Sequence, residues 1–311
     1  MMSSASNDIG ITQYEIMTFL PANIDSFSKP VRQLWDDMNP CILCPRRCKV
    51  NRGKGEIGFC GIGEMPVVSS VGPHFGEESV LVGSGGSGTI FFAGCNLGCV
   101  FCQNFDISHH RHGREVTIER LAQSMLELQD YGCSNINFVT PTHVIPAITA
   151  AIELARKDGL KLPTVYNTGG YDSVETLKLL EGFVDIYMPD MKYSDSEVAE
   201  ELSAAPDYPE VNLAAIQEMY RQVGDLKVKN GLATRGLLVR HLVLPENLAG
   251  SFEVMDFLAE QISTSTTINV MDQYRPCYQA SSHPKINRRP TPEEIESVRR
   301  YAIEKSLNVL T

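Results

Sequence analysis

The chain has 311 residues, 43% of them hydrophobic and 21% charged, with a net charge of −11. That length holds one large domain, or a domain with a small appendage, and the composition excludes disorder over most of it. No apolar run reaches the ~20 residues of a membrane span, and the acidic balance argues against a nucleic-acid groove as the main surface. A local basic patch, Lys285-Ile286-Asn287-Arg288-Arg289, reads as a solvated turn. Met1 to Gly10 is polar and lacks an apolar signal core, which predicts a soluble, cytoplasmic protein without a membrane partner. Nine cysteines in such a chain predict metal binding or catalysis before disulfides.

Residues 1–40 are weakly patterned, and Pro21, Pro30 and Pro40 interrupt any long helix. Trp35, the only tryptophan, is expected to anchor this segment to the body. Cys41, Cys44, Cys48 and Cys60 then stand in a C-x2-C-x3-C-x11-C spacing among glycines. Four soft ligands within twenty residues predict a closed site, either tetrahedral zinc or an auxiliary iron–sulfur cluster. Residues 65–87 read as short extended pieces, with residues 72–78 a polar turn in which His74 is either a surface residue or part of a site. Residues 83–88 are glycine-rich. They lack the Gly-Lys-Ser/Thr ending of a phosphate loop and precede a strand, so they read as a turn.

Residues 89–93, Thr-Ile-Phe-Phe-Ala, read as a buried strand. Directly after it come Cys95, Cys99 and Cys102, in a C-x3-C-x2-C spacing with Phe101 before the third. Thiolates are the usual ligands of iron–sulfur clusters, and three of them leave one iron of a 4Fe–4S cubane open to another ligand. Gly94 and Gly98 are expected to let the loop turn tightly. The alternatives are a zinc loop or buried structural cysteines.

Downstream the rhythm is strand–helix–strand. Thr117 caps a helix carrying Ile118, Leu121, Met125 and Leu128 on one face and ended by Gly132. Strands are expected over residues 136–139, 164–167, 184–188, 237–244 and 268–271. Helices are expected over 145–155, after an Asp172/Glu175 capping box, over 211–223, over 252–262, and after Thr291-Pro292-Glu293-Glu294. Six strands alternating with helices require a parallel sheet. The fold class is therefore α/β, a partial (βα)6 TIM-like barrel with an N-terminal Cys-rich metal-binding extension. The expected division is extension 1–87, barrel 88–275, and C-terminal loop and helix 276–311.

In such barrels function gathers at the C-terminal strand ends, and here those ends are polar. They read Thr140-Pro141-Thr142-His143, Asn167-Thr168-Gly169-Gly170, Met188-Pro189-Asp190-Met191-Lys192, Arg240-His241, and Asp272-Gln273-Tyr274-Arg275. Of the two remaining cysteines, Cys133 reads as core. Cys277 and nearby Tyr274 are the candidate catalytic residues: Cys277 could donate a hydrogen atom or ligate a metal, against the plainer reading of a loop thiol.

The Cys95–Cys102 stretch resembles the signature of the radical S-adenosylmethionine (SAM) superfamily. The resemblance implies a 4Fe–4S cluster on Cys95, Cys99 and Cys102, whose open iron chelates SAM. SAM is then cleaved to methionine and a 5′-deoxyadenosyl radical that takes hydrogen from a substrate. It also implies a reducing partner such as flavodoxin or ferredoxin. The ordered strand ends are similar to the pyruvate formate-lyase activating enzyme group, and with the Cys41–Cys60 head they look closest to its activating-enzyme-related branch. That likeness implies that Asp190 and Lys192 lie beside SAM, with Lys192 on its carboxylate, and that Arg240 is close by. It further implies a monovalent cation near Asn167, Thr168, Met188 and Asp190. The family's Gly-Gly-Glu is missing; Thr142, the Thr140 carbonyl or His143 could take its place toward the SAM amino group. Three other readings stay open: an activase placing a glycyl radical on a partner protein, a radical modifier of RNA or a small molecule, and a non-catalytic zinc protein.

Overall fold

The computed structural model describes residues 24–310; the polar start Met1 to Gly10 and the Pro21 break lie outside the described residues. Helix α1 (Lys29–Asp36) carries Pro30 in its first turn, where a missing N–H costs nothing, so Pro30 starts a helix instead of interrupting one. Val31, Leu34 and Trp35 bury its inner face against the main core, which is the expected anchor.

The chain continues through β1 (Val67–His74), α2 (Ser79–Val82), β2 (Ser87–Phe92), α3 (Phe105–Ser108), β3 (Arg114–Glu115), α4 (Ile118–Tyr131), β4 (Ile136–Val139), α5 (Ile145–Lys157) and β5 (Thr164–Thr168). It goes on through α6 (Val174–Leu179), β6 (Ile186–Pro189), α7 (Ser196–Ser203), α8 (Tyr208–Val223), β7 (Lys227–Lys229), β8 (Leu232–Leu242), α9 (Ser251–Phe257), β9 (Thr267–Met271), α10 (Pro292–Glu304) and β10 (Asn308–Val309).

Strands β2, β4, β5, β6, β8 and β9 lie side by side in chain order, all parallel. This is the expected six-unit βα array. Antiparallel β1, with β3 beyond it, borders β2, and β10 borders β9, so the curved sheet stays open.

Side chains alternate across each strand, and the two faces differ accordingly. One set, including Ile90, Ile136, Phe138, Tyr166, Tyr187, Leu237 and Val239, packs outward into the core shared with the helices. The other set, Val165, Ile186, Met188 and Leu238, packs inward around fully buried Leu81 of α2. Helix α2 thus stoppers the inner space. It is tied down where Asn135 donates to the Leu81 carbonyl (2.7 Å) and Ser134 to the Val82 carbonyl (3.1 Å).

Several local expectations change. Gly72, Pro73 and His74 belong to β1, because pairing with β2 carries the strand on to His74; the turn is confined to the residues after it. Strand β8 begins at Leu232, through a hairpin with β7 turned by Asn230-Gly231, both with positive φ. Helix α7 was not anticipated. Asp172 does not cap α6, whose N-cap is Ser173; its carboxylate is buried in the barrel instead. Cys133 is buried core, as expected. The Arg288 patch is a turn whose guanidinium pairs with Glu294 (2.8 Å).

The capping box of α10 forms as read, with Thr291 accepting from the Glu294 N–H and Glu294 accepting from the Thr291 N–H. Thr291→Ala should lower stability by about 1 kcal/mol in urea unfolding, the ordinary value of one N-cap.

Candidate active site

The three cysteines occupy the loop that leaves β2, at the C-terminal end of the parallel strands. Gly94 has φ +80°, and a Cβ there would stand 2.6 Å from the Cys60 carbonyl oxygen, so only glycine fits. Gly98 has ordinary φ and room at ordinary contact distance, so the turn does not require it.

Cys95, Cys99 and Cys102 line one cavity of about 360 Å³ together with Thr140, Asn167, Thr168, Asp190, Lys192 and Arg240. Ser203 of α7 donates its hydroxyl to Cys99 Sγ (2.9 Å), the Leu97 N–H points at Cys95 Sγ (3.4 Å), and Cys102 Sγ meets Ser108 Oγ (3.1 Å). Burial pushes the Cys95 and Cys99 thiols up, and the Lys192 ammonium opposes it at both. A metal would resolve that tension, since coordination replaces the proton. Three thiols on one glycine-hinged loop, with N–H and O–H donors already at two of the sulfurs, fit a cluster with one open iron.

The charged wall comes from strand alternation. Two residues beyond inward-facing Val165, Met188 and Leu238 stand Asn167, Asp190 and Arg240, on the same face. The parallel register sets Asp190 beside Arg240. Lys192 Nζ donates to Asp190 Oδ2 (2.6 Å) and Arg240 Nε to Asp190 Oδ1 (2.9 Å). A terminal Arg240 nitrogen also donates to Asn167 Oδ1 (2.7 Å). Burial would raise the Asp190 carboxyl, but the Arg240 and Lys192 charges outweigh it and hold it below the usual carboxylate range. Burial likewise opposes the Lys192 charge, and Asp190 and the Cys99 sulfur reverse that. The Tyr208 hydroxyl accepts from the Lys192 N–H (3.0 Å) and donates to the Gly169 carbonyl (2.9 Å), clasping two strand ends.

Other expected site residues lie elsewhere. The Thr142 hydroxyl donates to Asp172 (2.7 Å), as do Tyr166 (2.9 Å) and Thr168 (2.7 Å), so Thr142 is buried and does not line the cavity. His143 is buried with Nε2 on the Ala93 carbonyl (2.8 Å), and burial lowers it to about 4. Of that trio only Thr140 lines the cavity, with a positive φ of 59°. Met188 joins the inner apolar layer, and both Asp190 oxygens that a cation would need are taken by Lys192 and Arg240. Neither catalytic candidate lines the cavity. Tyr274 is buried, donating to the Ile286 carbonyl (2.7 Å) and packing edge-on to Phe101, and Cys277 lies on the loop that follows.

Sequence reasoning missed Ser203, because α7 was not foreseen, and Glu77. The latter lines the cavity with His74, their side chains 2.9 Å apart. The signal for His74 was its place opposite the first barrel strand, which only the β1–β2 pairing reveals.

The second cysteine set also comes together. Cys41, Cys44, Cys48 and Cys60 line one small cavity, with Leu43, Val50 and Phe59 around it. Burial pushes the Cys44 thiol up to about 12 and raises Cys60 as well. As placed, no three or more His, Cys, Asp or Glu side chains among the described residues form a group that could hold a metal ion.

Residues 89–232 match the family model described as Radical SAM superfamily. The chain is 36% identical over 280 residues to the uncharacterized protein MJ0674 of Methanocaldococcus jannaschii, covering 87% of this chain and 76% of that one. It is 25% identical over 304 residues to MJ0808 of the same organism, covering 88% and 81%. A radical SAM methyltransferase from Sphaerobacter thermophilus is a structural neighbour at TM-score 0.48 and 16% identity, over 71% of this chain and 65% of that chain. The chain thus spans just under two thirds of that neighbour's length. Residues 89–232, which carry the three-thiol loop, are thus a domain of the radical SAM superfamily, a family that works through a 4Fe–4S cluster and SAM. Among the described residues no helix is long and apolar enough to cross a membrane.

Proposed function

We propose that the cavity between the Cys95–Cys102 loop and the strand ends binds SAM beside a 4Fe–4S cluster on Cys95, Cys99 and Cys102. With these bound, the chemistry supplied is one-electron cleavage of SAM to methionine and a 5′-deoxyadenosyl radical, with a reducing protein of the flavodoxin or ferredoxin type as donor. One observation carries the reading: the three thiols and the Asp190–Lys192–Arg240 set line a single cavity of about 360 Å³, the size of a small-molecule site.

The residues divide the work of binding. Lys192, 16% exposed at its side chain, turns its ammonium toward the cavity and suits the carboxylate of the methionyl moiety. Asp190 holds that ammonium in place, and Arg240 holds Asp190. Ser203 donates to the sulfur of Cys99 and holds it in place. His74, at the end of β1, and Glu77, in the turn after it, add polar groups to the same cavity. The finer reading, an activating-enzyme-like site, rests on the Asp190–Lys192–Arg240 set and its order in the chain. The substrate is left unassigned.

The test is anaerobic. The reconstituted protein, given dithionite and SAM, should form 5′-deoxyadenosine and methionine, and SAM should shift the EPR spectrum of the reduced cluster. No 5′-deoxyadenosine and no spectral shift would overturn the reading. Lys192→Met should weaken SAM binding about tenfold or more, the loss of one charge-assisted contact, with the cluster signal intact.

A further inference from the structure

Outside that cavity, the most unusual chemistry on the molecule surrounds the four-cysteine cavity. Arg52 is 2% exposed, a rare place for a guanidinium. Its Nε donates to the Gly63 carbonyl (2.8 Å) and its Nη1 to the His143 carbonyl (2.7 Å), while Nη2 is buried with no partner. Arg46 repeats the pattern: Nε donates to the Asn96 carbonyl (2.9 Å), and Nη2 is buried and unpartnered. Both arginines line the cavity formed by Cys41, Cys44, Cys48 and Cys60. His143 lines it too. A carbonyl can only accept, so His143 Nε2 carries the proton given to Ala93, and unpartnered Nδ1 keeps a bare lone pair.

An apolar cavity has no use for one buried and one half-buried guanidinium that each leave a buried donor idle, since each idle donor costs about 1–3 kcal/mol. Nor do neutral thiols repay that cost. The arrangement makes sense around an anion. Four thiolates outweigh the charge of a zinc ion or of an oxidised cubane, so either centre would be anionic. Its sulfurs would then accept from the idle Nη2 groups.

We infer that Cys41, Cys44, Cys48 and Cys60 hold an anionic thiolate-bound metal centre, with Arg46 and Arg52 supplying its counter-charge. The thiols line the cavity without converging on one point. A centre there must either draw them together, as zinc would, or spread between them, as a cubane would. The site is distinct from the Cys95–Cys102 loop but touches it. Arg46 binds the carbonyl of Asn96, and the Cys60 carbonyl fills the space that a Cβ on Gly94 would need. The centre therefore braces the loop that carries the other three cysteines.

The decisive protein is the full chain with Cys95, Cys99 and Cys102 all changed to alanine, which removes the first cluster whatever its role. Loaded anaerobically with iron and sulfide, or with zinc, it should retain one of the two. About four irons with a cubane spectrum that ignores SAM would identify an iron–sulfur centre; about one zinc in a colourless protein would identify a tetrahedral one. Adding Cys44→Ser and Cys48→Ser should abolish the retained metal. Arg46→Gln, at a half-buried position that should tolerate the change, and Arg52→Gln should each speed metal loss to a chelator by about tenfold or more. A folded triple variant that keeps neither metal, or metal retention unaffected by the added serines, would overturn the proposal. Neither result bears on whether the first cluster binds SAM.

Discussion

Changing Cys99 to alanine is expected to remove the cubane and with it all SAM cleavage. Of the three thiols Cys99 is the most tightly engaged: Ser203 donates to its sulfur (2.9 Å), the Tyr193 hydroxyl backs Ser203 (2.8 Å), and Lys192 lies close enough to act on its charge. With one ligand of three gone, iron bound at this loop should fall to background, and the SAM-responsive EPR signal and 5′-deoxyadenosine should vanish together. Ser203→Ala separates ligation from support. It leaves the sulfur in place without its hydroxyl donor, so cluster retention should weaken by about tenfold without being abolished. An undiminished SAM-dependent signal in Cys99→Ala would place the cluster elsewhere.

Asp190→Asn should be the most destabilising exchange at the strand ends. It keeps the shape and removes the one anion between two buried cations. Leaving Lys192 and Arg240 facing each other without it should cost about 3–5 kcal/mol, a large share of the roughly 5–15 kcal/mol that keeps a domain folded. Chemical denaturation at pH 7 would read it. The pH dependence has a definite sign. Asp190 has its folded pKa held below that of the unfolded chain, so its contribution is fully present above the unfolded value of about 3.9. That contribution is lost as pH falls through the lower, folded value. The wild-type protein should therefore lose stability in that acid window, and Asp190→Asn should lack that part of the slope. Equal stabilities at pH 7 would show that the triad is held by something other than its charges.

Much of this molecule is written locally. Spacing alone marked Cys95, Cys99 and Cys102 as one set and Cys41, Cys44, Cys48 and Cys60 as another, because a loop can only wrap a metal with ligands a few residues apart. Period-two and period-3.6 patterns marked the six parallel strands and most helices, since burial of one face is a property of neighbours along the chain. Thr117 and Thr291 cap where they were expected, because a cap bonds only three residues ahead.

What needed the folded chain is whatever joins distant residues. Asp172 looked like a helix cap and became the buried acceptor of three hydroxyls from two segments, Thr142 after β4 and Tyr166 and Thr168 of β5. Thr142 and His143 lie at a strand end and still face away from the cavity, because a strand end determines height in the barrel and not the direction of a side chain. Asp190 meets Arg240 only through the parallel register of β6 and β8. The Arg46 and Arg52 donors acquire meaning only when folding buries them beside four sulfurs. Sequence by itself determined the two cysteine sets, the strands and their order. Tertiary structure decided which polar groups share a cavity, because sharing depends on register and burial, and neither is set by the residues next door.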